Sequence, residues 1–340
     1  IELELRARHP RLDIAAAAGD ILDVMRLEEV FAQYRPSAVL HAAAYKHVPM
    51  MERQPIMAVQ NNVFGSYNVA RVAAQHGAEN CLLISTDKAV NPTSIMGVSK
   101  RIAELAFLSF AGSSQTRFSA VRFGNVLGSN GSVVPLFKEQ IAARQPVTVT
   151  DPEVTRYFMT IPEAVRLVLQ ASTMAHGADV FILDMGRPVR IMDLARNLIR
   201  LSGLEPGRDI PIVITGLRPG EKRYEELLVS SEGIVSTSHP KVFQLKGDLP
   251  SAQVMSRHLN ALVRLCEDRD ISGLAELLSM IVPEYVPSAE FIELAQHHRG
   301  DESDGQRAER PFDADGVDAG PASRTEPAPS IRLVGELLDS

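Results

Sequence analysis

Short apolar runs alternate with helical stretches between Leu12 and Arg122, and this alternation constrains the fold more than any other feature. The runs that have the length and composition of strands are 13–17, 38–43, 80–85 and 118–123. The segments between them with helical spacing of apolar residues are 22–34, 55–75 and 95–110. Strands that are apolar throughout are buried on both faces, and strand–helix alternation builds βαβ units. The sequence therefore predicts an α/β fold with a doubly wound parallel, Rossmann-like sheet.

The composition of the sequence changes after Gly124, where a Gly/Asn/Ser-rich loop begins. Shorter helices and strands follow, over 133–144, 147–150, 161–174, 180–183, 191–201, 210–215, 251–265 and 274–280. From about Gly300 the chain is acidic, rich in Pro and Gly, and poor in large apolar residues, so it cannot bury enough surface to order itself. We predict a partial Rossmann domain over 1–126, a smaller α/β region over 127–299 and a disordered tail over 300–340.

Composition excludes several classes of protein. The formal net charge is −7 and no basic block stands out, so we expect no nucleic-acid partner. The two cysteines, Cys81 and Cys266, have neither zinc nor disulfide-framework spacing, which predicts no metal site and a reducing, cytoplasmic compartment. No apolar run is long enough to span a bilayer, and no signal peptide is visible. The chain begins at Ile1 rather than Met, so we expect a fragment or a processed product.

The sequence that best indicates chemistry is Ser85-Thr86-Asp87-Lys88, which follows an apolar strand. It places a hydroxyl, a carboxylate and an amine at the carboxyl edge of the sheet, where doubly wound folds bind their ligands. An ion pair on a solvated loop is the alternative reading, but the position favours a functional site. In the next helix Met96 and Lys100 are four residues apart and therefore share one face.

Other motifs are weaker and their alternatives stay open. Asp20 and Ile21 follow the first predicted strand, where Asp20 contacts a dinucleotide or caps a helix. Ala42, Ala43 and Ala44 end the second strand and either admit a flat ligand or fill the core. The remaining candidates are polar residues that either bind phosphate and sugar or form charged surface turns: Asn125 in a glycine loop, Arg156 beside aromatic residues, and Arg218 with Glu221 on a Pro-Gly turn.

Taken in order, these segments resemble the bacterial polysaccharide-biosynthesis nucleotide-sugar dehydratases of the UDP-N-acetylglucosamine 4,6-dehydratase type, within the extended short-chain dehydrogenase/reductase superfamily. The resemblance covers roughly the first three-quarters of the chain, and several motifs in one order are more specific than a lone motif. The strings that carry it are HAAAYKHVP from His41, NNVFG from Asn61, STDKAVNP from Ser85, MGVSK from Met96, RFGNVLGS from Arg122, GSVVP from Gly131 and RPGEK from Arg218.

The resemblance implies a reaction and a role for each candidate residue. NAD(P), with NAD preferred, takes a hydride from sugar C4, a base removes the C5 proton, water leaves from C6, and the hydride returns to C6. Asp87 would protonate the leaving hydroxyl, and Lys88, with a lowered pKa, would take the C5 proton. The other implied roles are Thr86 at the C4 oxygen, Lys100 at the nicotinamide ribose, Asp20, Ile21 and Ala42 to Ala44 beside the cofactor, and Lys46, Asn125, Arg156, Arg218 and Glu221 beside a UDP-N-acetylhexosamine.

The sequence departs from the family pattern at two places. Met96 stands where most of the superfamily has a tyrosine base, as in the long, membrane-anchored branch, and Lys100, a water molecule or Tyr45 would then deprotonate the C4 hydroxyl. No glycine-rich phosphate loop occurs near Ile1, so we expect the first βαβ elements to be missing, together with any upstream membrane segment at the cytoplasmic face of the inner membrane. The resemblance also implies a homo-oligomer. A nucleotide-sugar 4-epimerase and a non-catalytic nucleotide-binding protein are the alternatives.

Overall fold

The computed structural model describes residues 2–129, 131–228, 233–247 and 250–304. The helices are α1 Glu2–Arg8, α2 Val24–Tyr34, α3 Val48–Arg53, α4 Pro55–Val59, α5 Gly65–Gln75, α6 Ile95–Leu108, α7 Val133–Ala142, α8 Ile161–Thr173, α9 Ile191–Leu201, α10 Ala252–Glu267, α11 Ile271–Ile281 and α12 Ala289–Asp304. The strands are β1 Ala38–His41, β2 Asn80–Ile84, β3 Arg117–Arg122, β4 Asn125–Val126, β5 Val147–Val149, β6 Thr155–Arg156, β7 Phe158–Met159, β8 Ala178–Leu183, β9 Val189–Arg190, β10 Ile212–Ile214, β11 Gly233–Ser236 and β12 Val242–Lys246.

The main sheet has six strands in the order β1-β2-β3-β8-β12-β11. The first four run parallel, whereas β12 and β11 are antiparallel to their neighbours. The helices that connect the parallel strands lie on both faces of the sheet, which confirms the doubly wound α/β fold. Among the described strands, β1 pairs only with β2, and the side chain of Leu40 in β1 is half-exposed.

Alternation along the strands divides the core into two layers, because successive side chains of a strand point to opposite faces. Cys81 and Leu83 of β2 pack with α2, α5 and α6 on one face. Leu82, between them, packs with α8 on the other face. The sheet is therefore covered on both sides, as a parallel sheet requires.

Two further clusters lie outside the sheet. Helix α10 packs on α6, α11 packs on α10, and α12 packs on α11 and α3, so the C-terminal helices extend the helical layer that contains α6. A smaller cluster is formed by α7, α9, β5 and the residues around β10. This cluster matches the predicted second α/β region, although β8, β11 and β12 belong to the main sheet and come from beyond residue 126. The domain limits therefore stay a prediction.

Several sequence predictions differ from the structure. Residues 13–17 form no strand and are mostly exposed, because an alanine-rich run has low strand propensity and no neighbouring strand pairs with it. The predicted helix over 55–75 contains a π-helical turn at Gln60–Phe64 between α4 and α5. The pairing of β11 with β12 was not predicted. The acidic tail begins inside α12, which continues to Asp304, and 305–340 lie outside the described residues.

Candidate active site

The loop after β2 forms a tight polar turn at the carboxyl edge of the sheet. Thr86 caps a single 3₁₀ turn, Asp87–Ala89, by accepting a hydrogen bond from the Lys88 backbone N–H at 3.4 Å. Its hydroxyl also donates to Asp87 Oδ1 at 2.9 Å. A β-carbon at Gly97 would lie 2.4 Å from the Lys88 carbonyl oxygen, so only glycine lets α6 approach this turn so closely. The turn is therefore fixed by its own hydrogen bonds and by α6.

Asp87 and Lys88 form a hydrogen-bonded ion pair, with Lys88 Nζ 3.0 Å from Asp87 Oδ1. The Asp87 side chain is fully buried, and its Oδ2 has no hydrogen-bond partner. A β-carbon at Gly124 would lie 3.1 Å from that oxygen, so the glycine after β3 leaves room beside it. One carboxylate oxygen is thus bonded to the lysine, and the other is buried without a hydrogen-bond partner.

The Lys88 side chain also contacts polar residues other than Asp87. Its Nζ donates to Asn125 Oδ1 at 3.4 Å and lies 3.4 Å from Glu225 Oε1. Burial by itself lowers the pKa of Lys88, but the carboxylates of Asp87 and Glu225 outweigh it and raise the pKa above its ordinary value. The lowered pKa expected from the sequence is therefore wrong: two buried carboxylates stabilise the ammonium, against one opposing cation, Arg156.

A buried carboxylate lies beneath this turn. Glu104 of α6 accepts two hydrogen bonds from Arg122 at the end of β3, at 2.9 and 2.8 Å, and another from the Ser85 hydroxyl at the end of β2. Glu104 and Arg122 are fully buried. Burial alone would raise the pKa of Glu104, but Arg122, Arg101 and Ser85 lower it to about 2. The carboxylate stays charged and joins the ends of β2 and β3 to α6.

Met96 and Lys100 of α6 occupy different environments. Met96 is 4% exposed and packs in the apolar core between α6 and the helices around it. Lys100 is also 4% exposed, and its Nζ donates to the Ile84 carbonyl at 2.8 Å. Burial lowers the pKa of Lys100 to about 8 despite the opposing effect of Glu104. Lys100 is therefore easier to deprotonate than an ordinary lysine, whereas the methionine can transfer no proton.

A cavity of about 230 Å³ opens beside the Asp87–Lys88 pair. It brings together the predicted substrate residues Lys46, Asn125, Arg156, Arg218 and Glu221. Its ionisable lining has an excess of cations over acids: Lys46, Lys88, Arg156, Arg218 and Lys222 against Glu221 and Glu225. A second cavity of about 180 Å³, lined by parts of α7 and β5, shares Asn125, Arg156, Arg218 and Glu221. A positive, mostly preformed cleft of this kind suits a phosphorylated ligand.

Arg156 and Glu221 fix the floor of the cavity. Arg156 is 7% exposed, and its Nη2 donates to Glu221 Oε1 at 2.8 Å. Glu221 Oε2 in turn accepts from the backbone N–H of Arg218 at 3.2 Å, which closes the Pro-Gly turn. The Arg218 side chain is exposed at the cavity rim. Arg156 and Glu221 therefore hold the turn, and Arg218 can meet a ligand.

The residues predicted to contact the dinucleotide fit only one end of that cofactor. Ala42 and Ala43 follow β1 and are exposed, so a flat ligand meets little side-chain bulk there, and Lys100 is buried nearby on α6. Asp20 caps an exposed turn through the backbone N–H of Leu22 at 2.9 Å, whereas Asp23 caps α2. No glycine-rich turn precedes β1 in the part of the chain that the structure describes. The described residues thus fit the nicotinamide ribose better than the pyrophosphate.

Three residues important to this arrangement were missed by the sequence analysis. Glu104 is an acid in the apolar face of α6, one turn after Lys100, and that position could have signalled a buried pair. Asn62 lies in the π-helical turn and joins the Tyr45 backbone to the Ser99 hydroxyl of α6. Glu225, four residues after Glu221, carried no signal in the sequence, because its contact with Lys88 depends on the path of the 218–226 loop.

The described residues contain neither a candidate metal site nor a candidate membrane-spanning helix. Their histidine, cysteine and acidic side chains form no group able to hold a metal ion. Within the same residues, every helix is too short or too polar to cross a membrane.

Comparisons with known proteins agree on one family. The family described as "Polysaccharide biosynthesis protein" matches residues 1–247. The chain is 54% identical to the capsular polysaccharide biosynthesis protein CapD of Staphylococcus aureus over 239 residues, which are 70% of this chain and 40% of CapD. The chain thus spans less than half the length of that relative.

Relatives named for two different reactions are also similar. The chain is 31% identical to a UDP-N-acetylglucosamine 4,6-dehydratase (inverting) of Campylobacter jejuni, over 83% of this chain and 82% of the relative. It is 37% identical to a UDP-glucose 4-epimerase of Rickettsia bellii, over 57% of this chain and 56% of the relative. Among solved structures, Pen from Bacillus thuringiensis matches with a TM-score of 0.66 and 36% identity, over 74% of this chain and 77% of Pen.

The buried Glu104 carboxylate should be essential for stability. Glu104→Gln keeps the shape but leaves the Arg122 guanidinium without its charged partner, so we expect the free energy of unfolding to fall by about 3–5 kcal/mol. Urea denaturation of both proteins measures the difference. Glu2→Gln removes an exposed carboxylate, also paired with an arginine, and should have little effect. Equal stability of the Glu104 variant and the unmutated protein would contradict this role.

Proposed function

This chain belongs to the polysaccharide biosynthesis protein family, and from that premise we propose that it carries the catalytic half of an NAD-dependent nucleotide-sugar 4,6-dehydratase. The proposed substrate is UDP-N-acetylglucosamine or a related UDP-N-acetylhexosamine, and the product is the 4-keto-6-deoxy sugar used for surface polysaccharide. The observation that carries the proposal is the hydrogen-bonded pair of the buried Asp87 and the partly exposed Lys88, with Lys88 lining a cationic cavity at the carboxyl edge of the sheet.

The pair holds one proton between two groups, and elimination of water needs one acid and one base. Lys88 is the ammonium and Asp87 the carboxylate in the structure, with 3.0 Å between Nζ and Oδ1. Transfer of the proton along that hydrogen bond leaves a neutral amine and a neutral carboxylic acid without any change in total charge. The raised pKa of Lys88 is thus compatible with its role, because no proton has to leave the site.

Lys88 then acts on the sugar as a base, and Asp87 acts on it as an acid. Lys88 Nζ takes the C5 proton as the C5–H bond breaks, and Asp87 gives its proton to the C6 oxygen as the C6–O bond breaks. Water leaves, Lys88 gives a proton back to C5 as C6 receives the hydride, and the proton released earlier from the C4 hydroxyl restores the ion pair seen in the structure. Thr86, whose hydroxyl lies beside Asp87, supplies a hydrogen bond to the C4 oxygen. Asp87 Oδ2 is buried without a hydrogen-bond partner, which supports this assignment because the substrate would supply the hydrogen bond that this oxygen lacks.

The cofactor supplies a hydride acceptor and donor when it is bound. Lys100 is proposed to hold its nicotinamide ribose, and Ala42 to Ala44 to border it. With its pKa lowered to about 8, Lys100 is also a candidate for the base at the C4 hydroxyl, since Met96 can accept no proton. Asp20 and Ile21 stay predicted contacts.

The nucleotide is proposed to occupy the cationic cavities. Arg218 and Lys46 are exposed at the rim and would pair with the two phosphates. Arg156, Glu221 and Asn125 would border the uridine diphosphate from the floor. Residues 127–299 are proposed to provide most of the nucleotide site, and that assignment stays a prediction. Cytoplasmic location and homo-oligomer formation are part of the same proposal, and two free, buried cysteines are consistent with a reducing compartment.

Epimerisation at C4 is the second candidate, favoured by the similarity to a UDP-glucose 4-epimerase. An epimerase needs hydride transfer but no elimination, and so has no use for an acid and a base beyond Thr86. The hydrogen-bonded Asp87–Lys88 pair therefore favours the dehydratase.

Turnover of UDP-N-acetylglucosamine by the full-length protein that carries this chain tests the proposal. We expect a UDP-4-keto-6-deoxy-hexosamine, detected by mass spectrometry as the loss of one water molecule. UDP-N-acetylgalactosamine as the product would support the epimerase, and unchanged substrate would support a non-catalytic binding protein.

The role of Lys88 is tested by Lys88→Ala. Without the amine no group accepts the C5 proton, so we expect dehydration to fall by about 10²–10⁴-fold. Nucleotide binding, measured by calorimetry with UDP, should persist because other cations line the cavity. Lys138→Ala, which removes an exposed lysine on α7, is the matched control and should keep full activity. Unchanged turnover in the Lys88 variant would exclude this lysine as the base.

A further inference from the structure

Glu225 is a buried acid with no role in the proposed reaction so far. Its side chain is 3% exposed, and its Oε1 lies 3.4 Å from Lys88 Nζ. The same oxygen lies 3.7 Å from Arg156 Nε, and Oε2 has no hydrogen-bond partner. A buried carboxylate that is only partly bonded costs free energy, so a purely structural role is a poor explanation for it.

Glu226, the next residue, has different surroundings from Glu225. Glu226 is exposed, accepts hydrogen bonds from Lys222 and Asn91, and makes no contact with Lys88. Two consecutive glutamates on one loop therefore have different surroundings, and only Glu225 is directed to the Asp87–Lys88 pair. The loop that begins with Arg218 thus reaches the nucleotide cavity and the acid–base pair within eight residues.

We propose that Glu225 is the positioning residue of the acid–base pair: its carboxylate holds the Lys88 amine against Asp87 and retains the proton that the two groups share. This inference rests on the proposed dehydratase function, because it gives Glu225 a task only if Asp87 and Lys88 perform the elimination. Glu225 itself touches neither the sugar nor the cofactor in this scheme.

The charges around Lys88 explain why such a residue is needed. Arg156 of β6 repels the ammonium, and burial also disfavours its charge. Without Glu225, Asp87 alone would have to offset both the repulsion by Arg156 and the effect of burial on the Lys88 ammonium. The ionisable groups that face Lys88 are Asp87, Glu225 and Arg156, and those farther along the cavity wall are Lys46, His47, Arg218, Glu221 and Lys222. Since the wall is mostly cationic, Glu225 is the additional negative charge that keeps the proton in the pair.

Removal of that charge should shift the titration of Lys88 in a defined direction. With Glu225→Gln the ammonium loses one of its two carboxylates, so its proton should leave at lower pH. The pair is active only while it holds a single proton, and the high-pH limb of the kcat profile reports its loss. Both the titration and that limb should therefore move to lower pH together.

The first experiment measures the titration without any turnover. Lysine labelled with ¹³C at Cε is followed by NMR against pH in the full-length protein, and the Lys88 signal is assigned by its absence from Lys88→Arg. We expect the Lys88 titration to move down by about one pH unit in Glu225→Gln. Glu226→Gln, which removes the neighbouring exposed charge, should leave it unchanged. An unshifted Lys88 titration in Glu225→Gln would overturn the inference.

The second experiment measures dehydration of UDP-N-acetylglucosamine against pH in the same variants. The high-pH limb of kcat should move down by the same interval in Glu225→Gln, with KM changed little. A fall in kcat with no movement of the limb would indicate a merely structural role and would contradict the inference. Absence of dehydration in the unmutated protein would refute the proposed function instead, while the NMR titration would still decide the contact between Glu225 and Lys88.

A further variant of Glu225 keeps the inference testable if Glu225→Gln misfolds. Glu225→Asp keeps the charge but withdraws it by one methylene group, so the Lys88 titration should move part of the way. If Glu225→Gln does not fold, as judged by circular dichroism, the aspartate variant decides the question. A titration identical to that of the unmutated protein would then count against Glu225 as the positioning residue.

Discussion

The fully buried carboxylate of Glu104 is the interaction on which the rest of the site depends. It lies in α6 and binds Arg122 from β3 and Ser85 from β2. A charge in the core is tolerated only with a charged partner and several hydrogen bonds, so the three elements have little freedom to move apart. Both the Asp87–Lys88 turn and the glycine loop after β3 begin within two residues of these anchors. The positions of the Asp87–Lys88 turn and the glycine loop are therefore fixed by the buried contacts of Glu104.

Above that anchor the charges alternate along the cavity floor. Asp87, Lys88, Glu225, Arg156 and Glu221 form a continuous series in which each charge contacts an opposite one. Such a series keeps Lys88 protonated and ties it to the loop that begins at Arg218. The cations Lys46 and Arg218 lie at the exposed rim of the same cavity. Nucleotide binding and acid–base chemistry therefore meet on one loop.

Much of this architecture is predictable from the sequence, for physical reasons. Continuous apolar strands such as Asn80–Ile84 and amphipathic helices such as Ile191–Leu201 report their own burial, so β2 and α9 lie where the pattern places them. The Asp87–Lys88 pair is predictable because it follows a buried strand directly. Glu225 and the pairing of β11 with β12 are not, since both depend on contacts between distant segments. The expected lowering of the Lys88 pKa, by burial or a neighbouring cation, is wrong for the same reason, because the second carboxylate comes from Glu225 in a distant segment.

The central claim is that this site eliminates water from a nucleotide sugar rather than inverting a hydroxyl group. The most direct test uses UDP-N-acetylglucosamine deuterated at C4, incubated in ordinary water with the full-length protein. The account predicts a product that has lost one water molecule, carries the deuterium at C6, and has exchanged its C5 proton with solvent. UDP-N-acetylgalactosamine as the product, of unchanged mass and with the deuterium still at C4, would contradict it and would establish epimerisation instead.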